Sequence, residues 1–238
     1  MSEGIFDVNK APVLDSAGRI KALKPLKLLR EAAAIREGET AVDFGSGTGT
    51  FALPLAEMVG EKGRVYAVDR SPEMMAHLRA KDPPANIVFI QSDVEKSGLA
   101  DGTADVALMM HILHEVKQPG EFVAEAARIL KPGGRLVVLE WRAEADKPPG
   151  PPKRERIPRG ALEGYFEAAG LDPVSYTEWT RHDYVTAAVK RTGKSVGEIE
   201  AEIADLKALW PAHSVPPSMW QQLEDLEEEL ERAKKSGG

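Results

Sequence analysis

Three glycines at alternate positions carry the clearest chemical signal in this chain. Gly45, Gly47 and Gly49 follow a short apolar run and precede a segment of helical periodicity, and Ser46 lies between the first two. Glycine lets the backbone turn sharply and approach a ligand closely, and the N–H groups at the start of a helix attract anionic groups. We predict that this loop binds a carboxylate, a ribose or a phosphate.

Two aspartates flank the loop in positions suited to the same ligand. Asp69 ends the second predicted strand, twenty residues beyond Gly49, where a carboxylate can accept hydrogen bonds from both hydroxyls of a ribose or, alternatively, cap a helix. Asp43 either contacts the ligand or organises the loop through backbone N–H groups. The spacing disfavours a dinucleotide, because Thr50 stands where the dinucleotide fingerprint has its third glycine.

Two histidines are suited to moving a proton. His111 and His114 lie at the carboxyl end of the fourth predicted strand, the edge at which open α/β sheets bind their ligands. Imidazole is the most frequent general base in enzymes, so both are candidate catalytic residues. The pair could instead bind a metal, cap or pack, but no third metal ligand stands nearby and we expect no metal. Glu140 and Trp141, at the end of the fifth predicted strand, either line an acceptor pocket or face solvent.

The elements that must position these residues alternate between strand-like and helical segments. The predicted strands are residues 40–44, 65–69, 87–90, 106–110 and 136–140, with helices over 51–59, 72–80 and 121–130 between them. A helix over 20–35 precedes them; an extended loop at 147–154, a helix over 161–169 and an edge hairpin of 174–180 with 184–189 follow. This pattern predicts an open, mostly parallel α/β sheet with helices on both faces.

Composition excludes several kinds of chemistry. The chain has no cysteine, which rules out disulfides, thiolate metal sites and a cysteine nucleophile. Ten acidic and four basic residues lie in 198–235, so most of the net charge of −7 belongs to that segment. A near-neutral body without a basic stripe argues against nucleic acid and favours a small-molecule partner. No apolar run reaches the ~18 residues of a membrane span and no leader is evident, so we expect a cytoplasmic protein without a membrane partner.

The glycine loop and Asp69 together resemble the class I S-adenosylmethionine-dependent methyltransferases, a likeness that extends over residues 20–190. Residues 91–94 (Gln-Ser-Asp-Val) and 128–134 (Arg-Ile-Leu-Lys-Pro-Gly-Gly) continue it, and 108–116 (Leu-Met-Met-His-Ile-Leu-His-Glu-Val) is similar to the branch containing the ubiquinone and menaquinone biosynthesis methyltransferases. The resemblance implies a Rossmann-like, seven-stranded sheet with an antiparallel hairpin at one edge. It also implies S-adenosylmethionine as cofactor and S-adenosylhomocysteine as product.

By the same resemblance, Asp69 binds the ribose and Asp93 meets the adenine amino group, although Asp93 could instead cap the turn that follows it. Met74 either belongs to a helix core or packs on the adenine. The predicted cofactor-binding residues are Asp43, Gly45, Ser46, Gly47, Gly49, Asp69, Arg70, Met74, Asp93, Val94, Met110 and His111.

We divide the chain into an N-terminal arm or lid (1–19), a cofactor-binding methyltransferase domain (20–191) and an acidic helical hairpin (192–238). Apolar stripes in the last segment fit two helices that face each other, and pairing between two chains in a homodimer is the alternative. The predicted function is direct methyl transfer to a small-molecule acceptor. The alternatives are a nicotinamide-dependent oxidoreductase and a non-catalytic cofactor-binding module that acts through its helical tail.

Overall fold

The chain forms two compact units, residues 1–190 and 191–238. The computed structural model describes residues 11–145, 150–193, 196–208 and 217–236, with the backbone alone at 217–220, 235 and 236.

A seven-stranded sheet lies at the centre of the first unit. Its strands are β1 Thr40–Phe44, β2 Arg64–Asp69, β3 Ile87–Gln91, β4 Ala104–Met110, β5 Leu130–Trp141, β6 Leu171–Glu178 and β7 Asp183–Lys190. They lie in the order β3-β2-β1-β4-β5-β7-β6, and β7 runs antiparallel to both of its neighbours. The chain order reverses between β1 and β4, the point at which open sheets bind ligands beyond the carboxyl ends of their strands. The predicted sheet, including its antiparallel edge, is confirmed.

Helices cover both faces of this sheet. They are α1 Ala11–Leu14, α2 Ala17–Leu23, α3 Pro25–Glu31, α4 Ala52–Val59, α5 Pro72–Arg79, α6 Pro119–Ile129 and α7 Arg159–Ala168. Because side chains alternate along a strand, Phe44 points into the core beneath α6 and α7, whereas Ala41 of the same strand points into the core beneath α3, α4 and α5. Phe122 and Phe166 fill the first core and are fully buried. Two hydrophobic layers therefore hold the sheet rigid behind the ligand edge.

Several predicted elements differ from the structure. The single helix predicted over 20–35 is wrong: Lys24, whose φ is 49°, separates α2 from α3. The cause is Pro25, which lacks an N–H and disfavours helical geometry in the residue before it. The boundary expected between residues 19 and 20 lies inside α2. In the loop expected at 147–154, Lys153–Glu155 form a short 3₁₀ turn, and 147–149 lie outside the described residues.

The second unit contains a helical hairpin of α8 Val196–Ala208 and α9 Pro217–Ser236. The two helices bury one shared apolar cluster, formed by Ile199, Ile203, Leu206, Leu223 and Leu226. Lys207 and Glu227 pair across the hairpin at 3.0 Å. The predicted hairpin is confirmed. In the segments that the structure describes, no helix combines the length and the apolarity that crossing a bilayer requires.

Candidate active site

The glycine loop turns tightly at the carboxyl end of β1. The N–H groups of Gly45 and Ser46 both donate to the carbonyl oxygen of Val68 in β2, at 2.8 and 3.1 Å. Gly45 and Gly47 have φ of 67° and 52°, a region that residues with a Cβ enter only at a cost. A Cβ on Gly45 would lie 2.7 Å from Cγ1 of Ile112, whereas a Cβ on Gly47 would meet nothing closer than 3.5 Å. The loop thus packs against the segment after β4 and leaves space at Gly47.

Asp69 binds the glycine loop from the neighbouring strand. Its Oδ2 accepts from the N–H of Gly47 at 2.8 Å, and its Oδ1 accepts from the N–H of Ser71 at 2.9 Å. Burial raises the pKa of Asp69, and these N–H donors oppose that rise. Each carboxylate oxygen has a second lone pair, so the acid can hold the loop and still accept from a ligand hydroxyl. The predicted ribose contact stays a prediction.

Asp43 lies beneath the same loop and is 2% exposed. Burial, followed by the charge of Asp69, raises the pKa of Asp43 to about 8, while the N–H of Ala52 at the start of α4 hydrogen-bonds the carboxyl group and opposes the rise. This contact supports the loop-organising role. The carboxyl group is largely protonated at neutral pH, because ionising a buried acid beside a second acid is unfavourable.

Two buried hydroxyls at this edge have no hydrogen-bond partner among the described residues. They are Oγ of Ser46, inside the glycine loop, and Oγ of Ser92, just beyond the end of β3. Buried polar atoms in folded proteins are nearly always hydrogen-bonded, and leaving one unpaired costs about 1–3 kcal/mol. Both atoms are therefore suited to a polar ligand bound across the ends of β1 and β3.

The other predicted cofactor-binding residues lie around the same edge with differing exposure. Arg70 is exposed just beyond β2, and its charge acts on Asp69. Asp93 is exposed and precedes a short 3₁₀ turn, Val94–Lys96. Of the remainder, Gly49 has φ of 88° and adjoins the side chain of Leu78, and Met74, Val94 and Met110 are buried.

His111 lies immediately beyond β4 in a strained backbone conformation. Its φ is 59°, in the left-handed region that a non-glycine residue adopts at a cost, and its N–H donates to the carbonyl oxygen of Leu139 at 2.8 Å. Nε2 of the ring is 3.0 Å from Oδ1 of Asp183, and the ring stacks on Trp141 with centroids 4.4 Å apart. Nδ1 is buried without a partner in the part of the chain that the structure describes.

His114 has a carboxylate of its own. Its Nδ1 lies 2.9 Å from each carboxylate oxygen of Glu140, a residue that is completely buried at the end of β5. Burial lowers the pKa of His114, but the hydrogen bond and charge of Glu140 outweigh it, so the net change is upward. Each histidine of the predicted pair thus faces a different acid. Within the described segments, no group of three His, Asp or Glu side chains converges as a metal site would require.

The N-terminal segment contacts the glycine loop directly. Asp15 accepts from Oγ1 of Thr48 at 2.7 Å and from Nζ of Lys81 at 2.7 Å. Cδ1 of Leu14 lies 3.5 Å from the position of a Cβ on Gly47. Arg19 in α2 hydrogen-bonds Oγ1 of Thr50, and its charge also interacts with Asp183. This segment therefore lies against the glycine loop.

Sequence reasoning missed Asp183 and Asp15 as residues of this site. Neither belongs to a local motif, and each reaches its partner across a long stretch of chain: 72 residues separate Asp183 from His111, and 33 separate Asp15 from Thr48. A polar Thr-Arg-His-Asp turn between the two edge strands was the one available signal for Asp183.

Comparison with known proteins gives the family. A family model described as a methyltransferase domain matches residues 42–138, which include the glycine loop, Asp69 and both histidines. The ubiquinone/menaquinone biosynthesis C-methyltransferase UbiE of Azotobacter vinelandii is 33% identical over 115 residues, which is 47% of this chain and 46% of that protein. The chain spans less than half the length of the curated relatives it matches.

Solved structures share the fold over a longer stretch. A Burkholderia thailandensis 1,6-didemethyltoxoflavin-N1-methyltransferase, crystallised with S-adenosylhomocysteine, superposes with a TM-score of 0.56 at 21% identity, over 77% of this chain and 88% of that one. A SAM-dependent methyltransferase from Aquifex aeolicus superposes with a TM-score of 0.72 at 31% identity, over 78% of this chain and 99% of that one. Because the likeness in sequence and structure to the Aquifex protein extends over nearly all of it, this chain belongs to the family of S-adenosylmethionine-dependent methyltransferases.

Proposed function

We propose that the chain binds S-adenosylmethionine at the glycine loop and catalyses direct methyl transfer to a small-molecule acceptor. The observation that carries the proposal is the packing of the glycine loop against the segment after β4 that contains the two histidines. Ile112, which follows His111, lies against Gly45, so the residues that suit the cofactor and those that suit the acceptor share one edge of the sheet.

The residues present fit this cofactor. An adenosyl amino acid offers hydroxyl, amine and carboxylate groups, and the buried hydroxyls of Ser46 and Ser92 need such partners. Space at Gly47 admits a ligand close to the backbone. We propose Asp69 for the ribose, Asp93 for the adenine amino group, and Met74, Val94 and Met110 for the apolar surroundings.

Bound there, the cofactor supplies a methyl group on a cationic sulfur, which is already activated for displacement. The protein's part is to orient the acceptor, exclude water and receive a proton. Holding two reactants in line gives effective molarities of about 10⁵ M or more. A positioned base contributes about 10²–10⁴-fold when the attacking atom carries a proton, and His111 and His114 are the candidates.

We also propose that the N-terminal arm is a lid. Its contacts through Leu14 and Asp15 lie on the glycine loop itself, so cofactor entry requires this arm to open. A cytoplasmic location and a homodimer formed through the C-terminal helices stay predictions that follow from the sequence.

The proposal is tested by calorimetry followed by transfer of a labelled methyl group. We expect the wild-type chain to bind S-adenosylmethionine and S-adenosylhomocysteine but not NADH, and to label a member of a panel of phenols, amines and activated carbon acids. A side chain at Gly47 fills the ligand space, so Gly47→Val should weaken cofactor binding about ten-fold or more. Gly102→Val is the matched control, because Gly102 also has a positive φ, of 62°, but lies at the opposite edge of the sheet.

Two outcomes would contradict the proposal. Failure of the wild-type chain to bind either sulfur nucleoside would remove the cofactor assignment. Tight binding without transfer to any acceptor, accompanied by capture of a partner through the helical tail, would favour the non-catalytic module instead.

A further inference from the structure

We propose that Asp183 is a positioning residue that orients the ring of His111 and thereby makes Nδ1 of His111 the atom that receives the acceptor's proton. The inference rests on the proposed methyl transfer for its chemical role. The geometric part of the inference, that the neutral His111 ring carries its proton on Nε2, does not depend on which acceptor is methylated.

The ring of His111 is held in one orientation. Nε2 is 3.0 Å from Oδ1 of Asp183, and the stacked indole of Trp141 lies parallel to the ring within 14°. The His111 side chain is only 7% exposed. Trp141 pairs directly with Asp183 across β5 and β7, so the stacking partner and the hydrogen-bond partner belong to one rigid piece of sheet.

Asp183 is itself held in place. Its Oδ2 accepts from Oγ1 of Thr180 at 2.5 Å, and the same Oγ1 accepts from the N–H groups of His182 and Asp183. Burial raises the pKa of Asp183, but its interactions with His111 and Thr180 outweigh it, and the net change is downward. The nearby charge of Arg19 also acts on this carboxylate. Asp183 is therefore an anion at neutral pH, and its oxygens only accept hydrogen bonds.

An acceptor-only oxygen beside Nε2 requires a proton on Nε2. In the neutral ring the other nitrogen, Nδ1, then carries a lone pair and no proton. Nδ1 is buried and no described residue hydrogen-bonds it, and an unsatisfied buried nitrogen calls for a functional explanation. Nδ1 is therefore the atom that receives the acidic proton of the methyl acceptor.

The assigned step balances. The attacking atom of the acceptor gives its proton to Nδ1 and uses the freed electron pair to bond the methyl carbon. The electron pair of the broken carbon–sulfur bond stays on sulfur, which leaves in S-adenosylhomocysteine. The positive charge that the imidazole gains is stabilised by Asp183, and the proton passes to water after the products separate.

His114 is less suited to this step. Its Nδ1 is 2.9 Å from Glu140 and its Nε2 is 3.9 Å from Oε1 of Glu115, so carboxylates flank both nitrogens of this ring. The different surroundings thus give the two histidines different tasks: a proton acceptor at His111, and a hydrogen-bond donor at His114.

Nitrogen NMR of the full chain with labelled histidine tests the geometry directly. We expect His111, assigned by loss of its signals in His111→Gln, to show a protonated Nε2 and an unprotonated Nδ1 at a pH at which its ring is neutral. Asp183→Asn should move both signals towards the average of the two tautomers. Asp172→Asn, an exposed aspartate on β6, is the matched control and should leave them unchanged.

Kinetics give the second readout. We expect Asp183→Asn to lower kcat about ten-fold or more, with KM and cofactor affinity changed less than about two-fold. If that variant does not fold, Thr180→Val, which removes the hydroxyl bonded to Asp183, should lower kcat in the same direction, whereas Thr180→Ser should not. A neutral wild-type ring with its proton on Nδ1, or unchanged turnover in a folded Asp183→Asn, would overturn the inference. Absence of methyl transfer by the wild-type chain would instead overturn the proposed function, and the NMR result would still decide the geometry.

Discussion

Replacing Gly45 by alanine tests the packing that joins the cofactor loop to the histidine segment. Gly45 has φ of 67°, and the added Cβ would lie 2.7 Å from Cγ1 and 3.2 Å from Cβ of Ile112. The Cβ of Ile112 is next to the backbone, so a rotamer change cannot remove the contact. The left-handed backbone costs alanine about 1–2 kcal/mol, and overpacking adds about 1–3 kcal/mol. We therefore expect a total loss of about 2–5 kcal/mol.

Gly102→Ala isolates the backbone part of this loss. Gly102 has a similar φ of 62°, but a Cβ there would meet nothing within 4 Å. Gly102→Ala should therefore lower the free energy of unfolding only by the cost of the left-handed conformation, about 1–2 kcal/mol. The difference between the two variants measures the contact with Ile112.

Thermal unfolding of the full chain is the assay. A loss of 1 kcal/mol lowers Tm by about 2–4 °C in a protein of about this size. We expect Tm to fall by about 10 °C in Gly45→Ala and about 4 °C in Gly102→Ala. Adding Ile112→Ala to the Gly45→Ala chain should recover part of the loss in a double-mutant cycle. Equal shifts in the two single variants, or no recovery in the double variant, would refute the packing argument.

Four further outcomes are expected. Asp69→Ala should weaken binding of S-adenosylmethionine about ten-fold in calorimetry, and unchanged binding would mean that Asp69 only organises the loop. Asp15→Ala should speed cofactor dissociation in stopped flow, and an unchanged rate would argue against the lid; it also leaves the buried Oγ1 of Thr48 without its acceptor, which costs about 1–3 kcal/mol. The raised pKa of His114 means that its pair with Glu140 stabilises the fold fully below pH 6.5 and less as pH rises through that pKa. Glu140→Gln should therefore lower the free energy of unfolding more at about pH 6 than at about pH 9 in denaturant titrations. An equal loss at the two pH values would contradict this expectation. Because the pKa of Asp43 is raised to about 8, the free energy of unfolding of the wild type falls as pH rises from 3.8 towards that value. The free energy of unfolding of Asp43→Asn should therefore increase relative to that of the wild type across this range. A difference that does not change with pH would contradict the raised pKa.

Local patterns predict the parallel part of the sheet well. β1 has the bounds that its apolar run predicts, Thr40–Phe44. A short apolar run between turn residues is compatible with few structures other than a buried strand. The edge hairpin followed from the pattern as well as from the family resemblance, and the seven-strand count followed from the resemblance. Lys24 shows the opposite case: its side chain suits a helix, and only the proline after it ends the helix.

Contacts between distant parts of the chain were beyond local patterns. Asp15 belongs to no local motif, and nothing in the first twenty residues indicates that it reaches Thr48. Its role depends on how the N-terminal helices lie against the glycine loop, where Arg19 and the carbonyl oxygen of Leu14 also hydrogen-bond Thr50. Local sequence patterns therefore predict an N-terminal arm but not the residues that the arm contacts.

The topology of the sheet explains why sequence reasoning missed Asp183. In a parallel sheet, functional residues are sought at the carboxyl ends of strands, because those ends meet at the ligand edge. β7 runs antiparallel to β5, so the same edge receives the first residue of β7 rather than its last. Asp183 is that first residue, and it faces Trp141, the last residue of β5. For sheets closed by an antiparallel hairpin, polar residues that begin the reversed strand therefore belong among the candidates for the site, and here the rule selects the partner of His111.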